Sequence, residues 1–262
     1  MTPIDTTVTD HMIDAPGGKL FAREWTTEGD PNRAPIILLH DSLGSVEVWR
    51  DFPALLAATT RRRVIAYDRL GFGRSDPRAD RLTSRFVSEE AQIFLPCLLR
   101  QLQIDQFIPF GHSVGGGMAV YCGTTLADSC AAIVTESAQI FVEDITLQAI
   151  AAAKVQYANS ERLEKLRKYH GAKAQWVLHA WIDTWLSPEF ASWNVCSVLP
   201  QIRCPLLAIH GDQDEFGSLK HPELARTLSG GEVETRVLEG CGHVPHKERP
   251  DTIVESVAQF LG

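Results

Sequence analysis

Ser113 sits in the stretch Gly111-His-Ser-Val-Gly115, with Gly116 and Gly117 directly behind it. The apolar run Gln106–Phe110 before it reads as a short buried strand, and Met118–Thr124 after it as the start of a buried helix. A serine at such a strand-to-helix turn is held in a strained backbone with its hydroxyl projecting above the sheet. The flanking glycines are needed because side chains there would clash where helix meets strand. The helix start also leaves N–H groups unbonded, the first being that of Val114, which can face a developing negative charge. The chemistry this permits is nucleophilic attack. A serine hydroxyl attacks only when a base takes its proton, and the base needs an acid to fix its tautomer and stabilise its cation. A glycine-rich loop with an incidental serine remains the plain alternative until those partners are found.

Two stretches downstream offer them, in the order Ser…Asp…His expected on such a sheet. His210-Gly-Asp-Gln-Asp214 follows one apolar run. Glu239-Gly-Cys-Gly-His243-Val-Pro-His-Lys-Glu-Arg-Pro250 follows the next. Other members of these stretches stay open as alternatives: Asp212 for the acid, with backbone bonding in the turn as its other role, and His246 for the base, although no glycine precedes it. His112 beside the serine reads as a packing and hydrogen-bonding residue.

The elements that must position these groups follow from periodicity. Residues 17–25 pair with Thr9–Asp14 as a hairpin. Pro35–His40, Arg63–Asp68, Gln106–Phe110, Ala131–Thr135, Leu206–His210 and Val233–Leu238 read as strands, most of them continuous apolar runs buried on both faces of a parallel sheet. Helices are expected over Trp49–Ala58, over Ser84–Leu102 with a kink at Pro96, near Pro222–Leu228, and over Asp251–Leu261. Strands alternating with helices predict an α/β fold with a doubly wound, mostly parallel sheet, whose ligands sit at the carboxyl ends of the strands. From residue 139 to 201 the alternation stops and only helices are expected. Leu178, Trp181, Ile182 and Trp185 share one helix face, and Glu161–Lys168 is a solvated surface. So long an insertion is expected to be a lid (residues 139–201) over a core formed by residues 1–138 and 202–262.

Composition narrows the class. The 262 residues are 44% hydrophobic and 22% charged, as in a soluble globular protein. The net charge of −8 argues against nucleic acid or an anionic membrane surface as a partner. There is no membrane-span-length apolar run, and Met1–Asp10 lacks the pattern of a signal peptide. The six cysteines are scattered with no C-x-x-C pair, which predicts a cytoplasmic protein without disulfides. No histidine spacing suggests a metal, and Gly115-Gly-Gly117 lacks the Lys-Ser/Thr ending of a phosphate loop, so neither a metal nor a cofactor is expected. The expected partner is a small-molecule substrate, and the oligomeric state is left open.

With these motifs in order, each at a strand end, the chain resembles the α/β-hydrolase fold family from about residue 18 to 261. The resemblance implies Ser113 as nucleophile, Asp214 of Gly211-Asp-Gln-Asp as acid, and His243 of Gly242-His as base. It places Glu136, at the end of the sixth strand, where some related hydrolases carry their acid; otherwise Glu136 lines the pocket or pairs with a basic lid residue. It implies an oxyanion hole from the N–H groups of Val114 and Ser42, the latter in His40-Asp-Ser42 where relatives carry His-Gly-x. Asp41 replaces that glycine, and its carboxylate would oppose an oxyanion unless turned away or neutral. Asp-Ser-Leu-Gly also reads as a plain turn. Asp68-Arg-Leu-Gly-Phe-Gly-Arg-Ser75 resembles the family's Asp-x-x-Gly-x-Gly-x-Ser loop, whose role is structural. Serine at 113 argues against the haloalkane-dehalogenase and epoxide-hydrolase relatives, which use a carboxylate nucleophile.

The expected function is therefore hydrolysis of a carboxylic ester or lactone of a small, largely apolar substrate through an acyl-enzyme. A carbon–carbon bond hydrolase or enol-lactonase of the same fold is the alternative, since Leu-His-Asp-Ser-Leu-Gly also looks like an enol-lactonase loop. A non-catalytic small-ligand receptor is a second. Four of the six tryptophans fall within residues 139–201. They form the core of that segment, or Trp181 and Trp185 wall an apolar substrate pocket.

Overall fold

In the computed structural model, which describes residues 6–29 and 32–262, an antiparallel hairpin of β1 (Thr7–Ala15) and β2 (Gly18–Thr26) opens the chain. The reading of Met1–Asp5 as free of a targeting signal lies outside the described residues. The βα alternation then runs β3 (Ile36–Leu39), α1 (Phe52–Thr60), β4 (Val64–Tyr67), α2 (Phe86–Glu89), α3 (Leu95–Gln101), β5 (Ile108–His112), α4 (Val114–Thr125) and β6 (Ile133–Glu136). Three helices follow without a strand: α5 (Asp144–Tyr157), α6 (Ser160–His170) and α7 (Ala174–Trp185). The alternation resumes with β7 (Leu206–Gly211), α8 (Lys220–Leu228), β8 (Val233–Leu238), the short α9 (Pro245–Glu248) and α10 (Pro250–Leu261).

The eight strands form one sheet in the order β1-β2-β4-β3-β5-β6-β7-β8, parallel from β4 onward. The apolar runs are explained by burial on both faces. Ile36 and Leu38 join a core with Phe52, Leu56 and Val257 from α1 and α10. Their neighbours Ile37 and Leu39 join the opposite core with Val87, Leu98, Met118 and the α5–α7 region. Strand order reverses at β3, which has β4 on one side and β5 on the other, so the loops leaving β3 and β5 part at a topological switch point. Among the described residues no helix is long and apolar enough to cross a membrane.

One local expectation is corrected. Trp49 is not part of the helix that follows it: Val46–Trp49 is a 3₁₀ turn, Arg50 takes a positive φ of 53°, and α1 starts at Phe52. The helical run around Pro96 carries a π turn over Glu90–Phe94 just before the proline, with Leu95 N–H bonded to Glu90 O. Proline offers no N–H and crowds the preceding turn, so the regular α-helix is interrupted next to it by this wider turn.

Candidate active site

Ser113 occupies the joint between β5 and α4 with φ 56° and ψ −122°, a conformation an L-residue holds only when its surroundings impose it. They do so here from two sides. Ser113 N–H donates to Glu136 O of the neighbouring strand at 2.9 Å, and Ser113 O accepts from Gly116 and Gln139 N–H. A Cβ at Gly111 would lie 1.9 Å from Gly115 O, and one at Gly115 would lie 2.1 Å from Leu39 O. Both contacts are with backbone, which cannot move aside, so these two positions admit only glycine. The same closeness brings the end of β3 against the start of α4.

The side chain of Ser113 meets His243, whose Nε2 lies 3.0 Å from Ser113 Oγ. On its other edge His243 Nδ1 lies 2.8 and 2.9 Å from the two oxygens of Asp214. Asp214 is held in turn: its Oδ1 accepts the N–H groups of Phe216 and Gly217 at 2.8 and 3.1 Å, and His210 Nε2 lies 3.3 Å from Oδ2. Burial by itself pulls the His243 imidazole toward its neutral form, but the hydrogen bond and charge of Asp214 outweigh it and raise its pKa above the ordinary histidine value. Burial pushes the Asp214 carboxyl up, yet the bonds and charges of His243, His210 and the Phe216 N–H hold it below the ordinary aspartate value. The result is a carboxylate that keeps the imidazole's proton on Nδ1 and its lone pair aimed at the hydroxyl.

His112 does not act on the serine. Its Nε2 donates to His243 O at 2.8 Å, tying the histidine loop to β5, and burial pushes its pKa down to about 4, so it is neutral. Asp212 bonds Gly240 N–H at 2.7 Å and stays in its turn. Glu136 is a correction. It neither lines the cavity nor pairs with a residue of α5–α7: fully buried, it accepts His246 N–H at 2.5 Å and meets His246 Nδ1 at 2.6 Å. Burial drives both partners toward their neutral forms, Glu136 up to about 7 and His246 down to about 3. His112, Glu136 and His246 bring three donor atoms within 4.8 Å of one another. Both oxygens of Glu136 are already committed to His246, which leaves that trio a structural knot holding the His243 loop to β6.

A cavity of about 670 Å³ opens in front of Ser113 and His243. Ser42 and Asp41 border it from the loop after β3, and Trp181 and Trp185 of α7 wall it. Trp185 also packs on Phe190 and Trp193 with ring centroids 5.1 and 5.9 Å apart, and Trp181 on Phe216 at 6.2 Å. These two tryptophans are therefore both pocket wall and packing. Trp176 and Trp193 do not line the cavity: the former lies against Gly71 and Phe72, the latter on Phe190. The carboxylate of Asp41 is turned toward Gly44 and His112, with Oδ2 at 3.9 Å from His112 Nδ1. Sequence reasoning missed Phe216, whose ring lies 4.8 Å from that of His243, and the cavity face of α5 with Ile145, Ala149 and Ala153. The α5 face carried a signal, apolar residues at i, i+4 and i+8. Phe216 carried none.

Residues 36–256 match the alpha/beta hydrolase family. The proline iminopeptidase of Heyndrickxia coagulans is 26% identical, over 97% of this chain and 98% of its own length. The esterase YbfF of Escherichia coli K12 is also 26% identical, over 93% and 99%. Among solved structures, a bacterial membrane phospholipase A shares the fold with a TM-score of 0.78 at 19% identity, over 97% of this chain and 86% of that one.

Proposed function

This chain belongs to the alpha/beta hydrolase family, and we propose that it is a serine hydrolase cleaving a carboxylic ester or lactone of a small, largely apolar substrate. The observation that carries the reading is the line Ser113 Oγ, His243 Nε2 and Nδ1, Asp214, every step within 3.0 Å, opening on a cavity walled by Trp181, Trp185 and Phe216. His243 Nε2 takes the hydroxyl proton as Ser113 Oγ bonds to the substrate carbonyl carbon. The oxygen's new charge is received by the N–H groups of Val114, at the head of α4, and of Ser42. Collapse breaks the bond to the leaving alkoxide, which takes its proton from His243. Water then attacks the acyl-Ser113 ester by the same route, releasing the acid and restoring the hydroxyl. Hydrolysis of short p-nitrophenyl esters, lost in Ser113→Ala, tests the reading. Absence of turnover across ester, lactone and thioester panels would contradict it.

Two further outcomes follow. The base must be neutral to act, and Asp214 stabilises its cation, so kcat/KM will rise with pH through a midpoint above the ordinary histidine value of about 6.5. A pH–rate profile with its midpoint at or below that value would contradict the coupling. Trp181→Leu will change the ratio of kcat/KM between short and bulky acyl groups by the equivalent of about 1–3 kcal/mol. Trp185→Leu will in addition lower stability by about 2–4 kcal/mol, because Phe190 and Trp193 lose a packed ring. Ester panels and thermal melts on both variants separate wall from core, and unchanged ratios in both would remove the tryptophans from the substrate site.

A further inference from the structure

The carbonyl oxygen of Asp41 collects three donors. His40 Nδ1 lies 2.8 Å from it, Arg69 Nη2 donates at 2.8 Å, and Gly44 N–H closes a turn onto it at 3.3 Å. A carbonyl so held fixes its whole peptide plane. Because that peptide is trans, the N–H of Ser42 points the opposite way from the Asp41 oxygen. With the oxygen directed at Arg69 and His40, the Ser42 N–H is directed away from them. Ser42 borders the cavity that holds Ser113. The turn and the hole are thus one structure, and the turn alone needs only Gly44.

Arg69 is more than the turn requires. It is 4% exposed, its guanidinium lies 4.2 Å from the Phe72 ring centroid, and its Nε has no hydrogen-bond partner among the described residues. Its counter-charges are the carboxylates of Glu90, buried and bonded by Tyr67 Oη–H at 2.7 Å, and of Asp41. Arg69 also sets the other donor. Its backbone N–H donates to His40 Nε2 at 3.2 Å, which leaves the imidazole proton on Nδ1, facing the same carbonyl. Burying a cation in this way is costly unless its field is used.

We propose that Arg69 is a positioning residue for the oxyanion hole, one that holds and polarises the Asp41–Ser42 peptide from behind. The inference rests on the serine-hydrolase reading above. A cation at the carbonyl end draws charge through the peptide and strengthens the N–H at the other end as a donor. It also offsets the Asp41 carboxylate that this chain carries beside the hole. Arg69, the Asp41–Ser42 peptide and the substrate oxygen form a relay whose effect grows as that oxygen becomes an anion.

The test compares Arg69→Met and Arg69→Gln with the wild type, using a p-nitrophenyl ester and an alkylboronic acid, which adds to a serine hydroxyl as a tetrahedral anion. For Arg69→Met, kcat will fall about 100-fold with KM within about threefold, and boronate affinity will fall by a factor similar to kcat. Arg69→Gln keeps a donor without the charge and will lose about tenfold in both. Should the methionine variant fail to fold, the glutamine variant carries the same comparison. Folded variants with wild-type kcat, or with a lower kcat and unchanged boronate affinity, overturn the proposal. A wild type that neither turns over the ester nor binds the boronate overturns the serine-hydrolase reading beneath it, a result distinct from active enzyme with indifferent Arg69 variants.

Discussion

Ser113→Ala will leave the chain folded and lower kcat by about 10⁶-fold, the scale seen when the nucleophile of such a site is removed. The side chain contributes one hydrogen bond, to His243 Nε2, and the strained backbone at 113 is set by Gly111, Gly115 and the Glu136 carbonyl, none of which the change touches. Alanine meets the same positive φ as serine, so the change adds no new backbone cost. What remains is the small rate that the rest of such a site supplies without its nucleophile. Ester turnover and a thermal melt on the same preparation check it. A folded variant retaining more than about one part in 10³ of the rate would mean that another group attacks.

The second large effect is at Asp214. Asp214→Asn will cost about 10⁴ in kcat. Oδ1 accepts two backbone N–H groups, from Phe216 and Gly217, so the asparagine carbonyl must take that position. Its NH₂ then falls at Oδ2, facing His243 Nδ1 at 2.9 Å and close to His210 Nε2 at 3.3 Å. That donor competes with the carbonyl 2.8 Å from Nδ1 and the carboxylate's charge is lost, which favours the tautomer with its proton on Nε2, where it cannot accept from Ser113. Glu136→Gln is the control, because Glu136 is bonded to His246 and does not border the cavity. An Asp214→Asn enzyme keeping more than a tenth of its activity, with Glu136→Gln losing it, would reassign the acid.

Much of this arrangement was legible in the residues because the elements that carry it are local. The G-x-S-x-G turn, the paired-face strands and the glycine-histidine loop each announce themselves within a few residues. Even there the boundary shifted. Gly111 looks like the end of a strand, yet β5 continues to His112, pairing with Glu136. The glycine is required by the approach of Gly115, not by a turn. What stayed illegible is long-range pairing of polar groups. Glu136 finds His246 across 110 residues, and Glu143 reaches Ser218 and His221 across 75 and 78, pinning the loop after Asp214 to the start of α5. No periodicity encodes such partners. Arg69 was hidden for another reason: it stands in a motif whose glycines explain its turns, and only the structure shows its guanidinium on the Asp41 carbonyl.

Whether Ser113 is a nucleophile activated by His243 and Asp214 is decided by treating the intact protein with a p-nitrophenyl alkylphosphonate and locating the adduct by peptide mass spectrometry. One phosphonyl group per chain will be found on Ser113, with release of one equivalent of p-nitrophenol and strongly slowed labelling in His243→Ala. An unmodified chain, or an adduct on another residue with Ser113 untouched, would contradict it.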